Sequence, residues 1–371
     1  MATDSRVFRI LALNPGSTST KISYFENELE KRVLVIRHSN EETAAFATVL
    51  DQFDFRFDAI KKVLAQWGIN ALDAIVARGG LLKPIESGTY TIGEELLHDS
   101  RDPEAACHPS SLGALLAHEL GQSFGVISYI VDPVVVDELE PVARLSGAPE
   151  FPRTSIFHAL NQKAVARLCA QELGKNYENS RMIVAHLGGG ITIGAHRYGR
   201  VIDVNNALSG EGPFSPERCG ALPVADVINA CLSKDASLSE LAALTKKNGG
   251  LTAYLCTNDL RKCESRIMKG DAESFLVVEA MAYQVSKEIG AMLAVLQGHV
   301  DVIILTGGLA YSERFTAAIK NYVSTFAPVR VYPGEKEMEA LNMGVLRVLR
   351  GQERAKDYTA HIYSLDLKNA S

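Results

Sequence analysis

Two stretches of this 371-residue chain, starting at residues 9 and 181, share one design. "RILALNPGSTSTKISYF" and "RMIVAHLGGGITIGAHR" each run an apolar strand into a polar residue, Asn14 or His186, then through a tight turn into a returning strand. A further strand follows each, "RVLVIRH" in one case and "RVIDVNN" in the other. A chain that repeats a β-turn-β unit in this way is expected to be a duplicated domain, its two lobes facing each other across a cleft. The length also exceeds what one ordinary core supports.

Strand-like and helical runs alternate, which gives an α/β fold class. Strands are expected over 7–13, 22–25, 33–37, 73–77, 126–131, 182–186, 191–196, 200–204 and 301–305, and helices over 41–66, 110–121, 155–173, 223–233, 272–297, 312–325 and 337–350. The formal net charge of −6 argues against nucleic acid as a partner, since duplex binding relies on clustered Lys and Arg. No apolar run reaches about 18 residues, and "MATDSRVFRI" has no apolar leader core, so a cytoplasmic protein without a membrane partner is expected. The six cysteines are scattered without a CxxC pair and read as reduced thiols.

Turns rich in Gly and Ser at strand ends can direct several backbone N–H groups at one anion. Ser17, Thr18, Ser19 and Thr20 add hydroxyl donors and Lys21 a positive charge; Gly188, Gly189 and Gly190 let the second turn approach a phosphate closely. A third turn, Gly307-Gly308, follows the apolar run "VDVIILT". Three such turns suggest a polyphosphate held between the lobes. GxxxxGK[ST] and GxGxxG are both absent, which excludes a P-loop enzyme and a fingerprint dinucleotide-binding domain.

The set "LNPGSTSTK", "HLGGGITIG" and "LTGGLAYSERF" resembles the acetate and butyrate kinase family, within the superfamily of actin-like, sugar-kinase and heat-shock-chaperone ATPases. "VARGGLLKPI", "HPSSLGALLA", "FHALNQKAVAR", "ALSGEGPFSPERCGALP", "TNDLRKCE" and "PGEKEMEALNMG" follow in the family's order, closest to its butyrate kinases. The resemblance implies two duplicated actin-like (ribonuclease H-like) domains: residues 1–150 with a returning helix in 336–371, and 151–335, the second binding nucleotide and mediating homo-oligomer formation. It also implies reversible phosphoryl transfer from ATP, with Mg2+, to a short-chain carboxylate, giving acyl phosphate and ADP. Acetate or propionate kinase, and a phosphatase or ATPase sensor on the same fold, are the alternatives.

A fatty-acid carboxylate has a pKa of about 4 and is already ionised at neutral pH, so its attack needs neutralisation of charge rather than a base. Arginine suits that task because its fork matches carboxylate and phosphoryl oxygens. By resemblance, Arg78 takes the substrate carboxylate and Arg218 the transferring phosphoryl group. His158, placed near the start of a helix opened by Thr154 and Ser155, and His186 match histidines that contact that group, and His108 one lining the substrate side. Asp132 matches an essential aspartate, expected to hold an arginine or a metal-bound water. Asn14 and Glu337 match the magnesium-organising positions, with Glu335 and Glu339 as alternatives to Glu337. Ser17, Ser19, Lys21 and the 188–190 glycines would hold phosphate, and Asp259, Arg261, Gly307, Gly308, Leu309 and Ala310 the adenosine. Gly79-Gly80, where acetate kinases carry valines, is expected to enlarge the acyl pocket and favour butyrate or isobutyrate.

Overall fold

The computed structural model describes residues 6–103, 106, 108–233 and 237–358. The chain forms two compact units, 1–137 with 336–371, and 138–335. The first holds β1 (Arg9–Pro15), β2 (Ser19–Glu26), β3 (Leu29–Arg37), α1 (Asn40–Ala44), α2 (Phe53–Trp67), β4 (Ala74–Ala77), β5 (Thr89–Thr91), α3 (Glu94–Ser100), α4 (Leu112–Phe124) and β6 (Ser128–Val131). The second holds α5 (Ala159–Glu172), β7 (Arg181–Leu187), β8 (Ile191–Arg197), β9 (Arg200–Val204), α6 (Val224–Ser233), α7 (Leu238–Leu244), α8 (Gly250–Leu255), α9 (Leu260–Met268), α10 (Ala272–Val295), β10 (Val302–Gly307), α11 (Glu313–Val323) and β11 (Val329–Pro333). After it, α12 (Glu337–Leu349) returns to the first unit and packs on β1, β4 and β6.

The first sheet runs β3-β2-β1-β4-β6-β5 and the second β11-β10-β7-β8-β9. Each contains an antiparallel β1-β2-β3 or β7-β8-β9 ribbon whose first strand continues into a parallel pairing, with β4 or β10. The likeness extends to an irregularity. Both ribbons carry a β-bulge between the second and third strands, at Tyr24/Phe25 and at Ala195/His196, and in both the extra residue lies on the third strand, Lys31 or Ile202. The first turn joins the Pro15–Thr20 pair and the second the Leu187–Ile191 pair, so the second turn is one residue shorter. Allowing for that residue, the two bulges are equivalent. Bulges are specified features of a strand pair, and their shared position supports duplication more firmly than the apolar pattern does.

Burial explains the strand sequences. Ala74, Ile75, Val76 and Ala77 of β4 are all fully buried, the continuous apolar run expected of a parallel strand covered on both faces. In β7 the alternation sorts by face. Ile183, Ala185 and Leu187 join the cluster under α10, and Met182 and Val184 the cluster under α5. His186, two residues beyond Val184, therefore points to the α5 side.

The helix expected over 41–66 is two helices, α1 and α2. The Asp51 carboxylate accepts from the backbone N and hydroxyl of Thr48, both at 2.8 Å, and Asp51 N donates back to Thr48 Oγ1. These local bonds compete with helical ones, and the chain starts a new helix after them. The short elements β5, β11, α3, α7, α8 and α9 lie outside the runs expected from apolar periodicity. Among the described residues no helix is long and apolar enough to cross a membrane. Five cysteines are described, all free, and Cys107 lies outside the described residues.

Behind β8 lies a closed polar network. Tyr177 OH meets His196 Nδ1 at 2.8 Å, and His196 Nε2 meets Gln162 Oε1 at 3.0 Å. Burial, with help from the charges of Lys163 and Arg167, pushes His196 well below the ordinary histidine range, so the folded protein keeps it neutral. The unfolded chain protonates it below about pH 6.5. Its contribution to stability is thus complete above that pH and lost as pH falls. Between pH 7.5 and 5.5 the urea midpoint of the wild type should fall more than that of His196→Gln, a differential slope approaching about 1.4 kcal/mol per pH unit. Parallel pH profiles would refute a buried neutral histidine.

Candidate active site

In the first unit the site begins at the β1–β2 turn. Gly16 N donates to Ser19 O at 2.7 Å and closes it. Arg56 of α2, fully buried, donates to the Gly16 carbonyl at 3.0 Å, to Ser19 O at 3.3 Å and to Thr20 Oγ1 at 3.0 Å. His38 N takes the Thr18 carbonyl at 2.9 Å. Because a peptide unit is planar and trans, the N–H groups of Ser17 and Ser19 point opposite those carbonyls. Arg56, which the sequence motifs did not single out, thus orients the turn. Asn14 and Lys21 are cross-strand partners and share a face of the sheet.

Arg78 follows β4 and its backbone N donates to Leu13 O at 3.0 Å. Its Nη1 donates to Glu337 Oε1 at 2.7 Å, while Glu337 Oε2 accepts from Asn14 Nδ2. One carboxylate on the first turn of α12 thus orients both residues. His108 caps the short turn Pro109–Ser111, its Nδ1 accepting from Ser110 N at 3.1 Å. Burial, with the charges of Arg78 and Arg56, lowers its pKa, so the ring is neutral with its proton on Nε2.

Asp132 sits just past β6 with φ +40° and is buried. Its Oδ1 accepts from Ser87 Oγ at 2.6 Å and Gly88 N at 2.9 Å. These bonds tie it to the Ser87–Gly88 turn rather than to an arginine. Gly79 and Gly80 overturn the pocket expectation. A Cβ on Gly79 would lie 2.8 Å from Pro133 Cβ, and one on Gly80 2.5, 2.7 and 2.9 Å from Ser111 Oγ, Cα and N. Neighbouring chain fills the volume a branched residue would take, so the glycines permit close packing and open no cavity.

In the second unit, α5 begins at Ala159, four residues later than expected. His158 itself is the N-cap, its Nδ1 accepting from Asn161 N at 3.3 Å, and Thr154 instead accepts from Asn206. The rings of His158 and His186 stand 4.5 Å apart, and their Nε2 atoms meet Glu335 at 3.6 and 3.2 Å. Burial disfavours charge on Glu335, but hydrogen bonds and charge from the two histidines hold its carboxyl well below the usual range. Ligand atoms of the three groups lie within 4.8 Å of one another, a spacing a metal could bridge. However, His158 Nδ1 takes a backbone N–H, which leaves the proton rather than a lone pair on its Nε2. Glu339 is exposed.

Arg218 lies against the glycine turn. A Cβ on Gly190 would fall 1.9 Å from its Nη1, so any larger residue there would displace the guanidinium. Ser215 clips the loop to the turn, donating to Gly189 O at 2.6 Å and accepting from Arg218 N at 3.2 Å. Arg218 Nε is buried without a hydrogen bond, and burial depresses the guanidinium pKa against the pull of Glu217. Glu217 in turn accepts from Asn258 at 2.7 Å. Asp259 caps α9 and holds Arg261 through two bonds, of 2.9 and 2.8 Å, at an exposed position. Gly307, at φ +90°, would place a Cβ 2.5 Å from Leu187 O, and the turn Gly308–Tyr311 carries Leu309 and the buried Ala310.

Residues 153–325 match the acetokinase family. The chain is 51% identical over 353 residues to butyrate kinase 2 of Clostridium acetobutylicum, covering 95% of this chain and 99% of that protein. Among solved structures it is similar to the acetate kinase of Porphyromonas gingivalis (TM-score 0.75, 19% identity, 92% of this chain and all of that one). It is also similar to a propionate kinase of Francisella tularensis (TM-score 0.73, 17% identity, 90% and 98%). With these matches, the two α/β units have the actin-like ATPase fold and the chain belongs to the acetokinase family.

Proposed function

We propose that the protein is a butyrate kinase, which transfers the γ-phosphoryl group of ATP reversibly to the carboxylate of butyrate or isobutyrate. The observation that carries this reading is Arg218, a half-buried cation whose buried Nε has no hydrogen-bond partner, set on a glycine turn that can present N–H groups to phosphate. Arg78, already oriented by Glu337, binds the acid, with His108 Nε2–H as a further donor. Arg218, His158 and His186 bind the transferring phosphoryl oxygens. Ser17, Ser19, Lys21 and Gly188 to Gly190 bind the other phosphates, and Asp259, Arg261 and Gly307 to Ala310 the adenosine. Asp132 keeps the Ser87–Gly88 turn in place beside β6.

Asn14 and Glu337 fit magnesium by donor chemistry, being a hard amide oxygen and a carboxylate side by side. They would hold it together with ATP phosphates, where it supplies positive charge to the β- and γ-oxygens. Homo-oligomer formation and a cytoplasmic location belong to the same reading.

An acyl-hydroxamate assay with Mg-ATP and acids from acetate to valerate, isobutyrate included, tests it. Product should peak at butyrate or isobutyrate. A peak at acetate would replace the substrate, and ADP release independent of any acid, without hydroxamate, would move the protein to the hydrolase alternative.

A further inference from the structure

One buried side chain touches both histidines and has no part in the reading above. Asn161 stands in the first turn of α5 and is 3% exposed. Its Oδ1 lies 2.8 Å from His186 Nδ1, and its backbone N donates to His158 Nδ1. An amide oxygen only accepts, so His186 Nδ1 carries a proton; a backbone N–H only donates, so His158 Nδ1 does not. Neighbouring Gln162 fastens the same turn of α5 to β8, donating to Thr192 O at 3.1 Å and Thr192 Oγ1 at 2.9 Å. Thr192 is the cross-strand partner of His186.

We propose that Asn161 is a positioning residue that imposes opposite Nδ1 states on the two histidines, Nδ1–H on His186 and bare Nδ1 on His158, so that the two rings differ in proton count beside the transferring phosphoryl. His158 then offers Nε2–H as a hydrogen-bond donor. His186 Nε2 faces the ionised Glu335 carboxylate at 3.2 Å, an acceptor only, so with Nδ1–H in place His186 donates there as the doubly protonated ring. The two rings stand side by side but are not interchangeable. The inference rests on the kinase reading only in assigning the phosphoryl group as the target.

The test uses the full chain with 15N-labelled histidine, and long-range 1H–15N spectra at pH 8.5, His158 and His186 being identified by their loss in separate His→Gln variants. In Asn161→Ala the side-chain acceptor is gone and the backbone N–H remains. The Nδ1 proton of His186 should be lost, leaving the Nε2 proton towards Glu335, with His158 unchanged. In the hydroxamate assay kcat should fall at least about tenfold with the KM for the acid nearly constant, since the loss falls on the transition state. Asn161→Asp, which retains an acceptor, should restore the Nδ1 proton and most of kcat. A His186 Nδ1 proton that survives in Asn161→Ala, or a kcat that Asn161→Asp leaves as low as alanine does, would overturn the proposal. The nitrogen spectra require no turnover. A chain that makes no acyl phosphate would therefore sink the kinase reading while the proton positions still decide this one.

Discussion

Arg218→Ala should abolish most of the activity while leaving the protein no less stable, and this pairing of effects separates a ligand-binding cation from a structural one. Removing a charge clamp on a transferring group costs about 10²–10³ in kcat. The folded protein gains nothing comparable from the side chain, because Arg218 is half-buried with its Nε unbonded and its pKa is already depressed by burial. A partly desolvated cation with an unsatisfied buried donor is an expense of folding rather than a support. Thermal melting without ligand should be unchanged or higher in Arg218→Ala, and the stabilisation produced by added Mg-ATP should shrink. Arg218→Lys should recover only part of the rate, since an ammonium cannot bind two phosphoryl oxygens in one plane. A melting temperature several degrees lower, with kcat within about fivefold of wild type, would make Arg218 a structural residue and remove the main support for the phosphoryl site.

Gly80→Ala should damage the fold before it alters substrate choice. The added Cβ meets Ser111 Oγ at 2.5 Å, a group that can rotate, but also Ser111 Cα and N at 2.7 and 2.9 Å, which cannot. Overpacking at such a place costs about 1–3 kcal/mol, and more where backbone must yield. The displacement would reach Arg78 through its neighbour in sequence and His108 through the turn that Ser111 ends. Melting temperature should fall, and the KM for every acid should rise together. A variant that folds like the wild type and shifts its preference towards acetate would reinstate the glycines as determinants of pocket size.

Much of this architecture is legible in the sequence because strand-turn-strand repeats and apolar runs report backbone periodicity directly. Nine expected strands and most of the helices have counterparts, including the returning α12. What escapes periodicity is side-chain chemistry that interrupts it. Thr48 and Asp51 divide an apolar stretch by bonding to the local backbone, and His158 takes the capping place that propensity alone assigns to Thr154 or Ser155. The candidate-site residues divide in the same manner. Arg78, His158 and His186 stand in recognisable motifs, and the structure places each beside charged or polar partners. Arg56, Asn161 and Ser215 orient those groups from behind, and the sequence motifs single out none of them. Glu335 and Glu337, indistinguishable as neighbouring glutamates in "PGEKEME", are separated by their partners: the first takes two imidazoles, the second an arginine and an amide.

The matched bulges make the two ribbons interchangeable parts. Their registers coincide on both sides of the irregularity, and the first turn differs from its counterpart by one residue, although β3 runs further than β9. Descent from a common segment would then leave the scaffold fixed while the turns specialised, one towards hydroxyls and a lysine, the other towards bare glycine backbone. A graft of one turn onto the other ribbon would be a transplant between compatible stems, with chemistry confined to the tip.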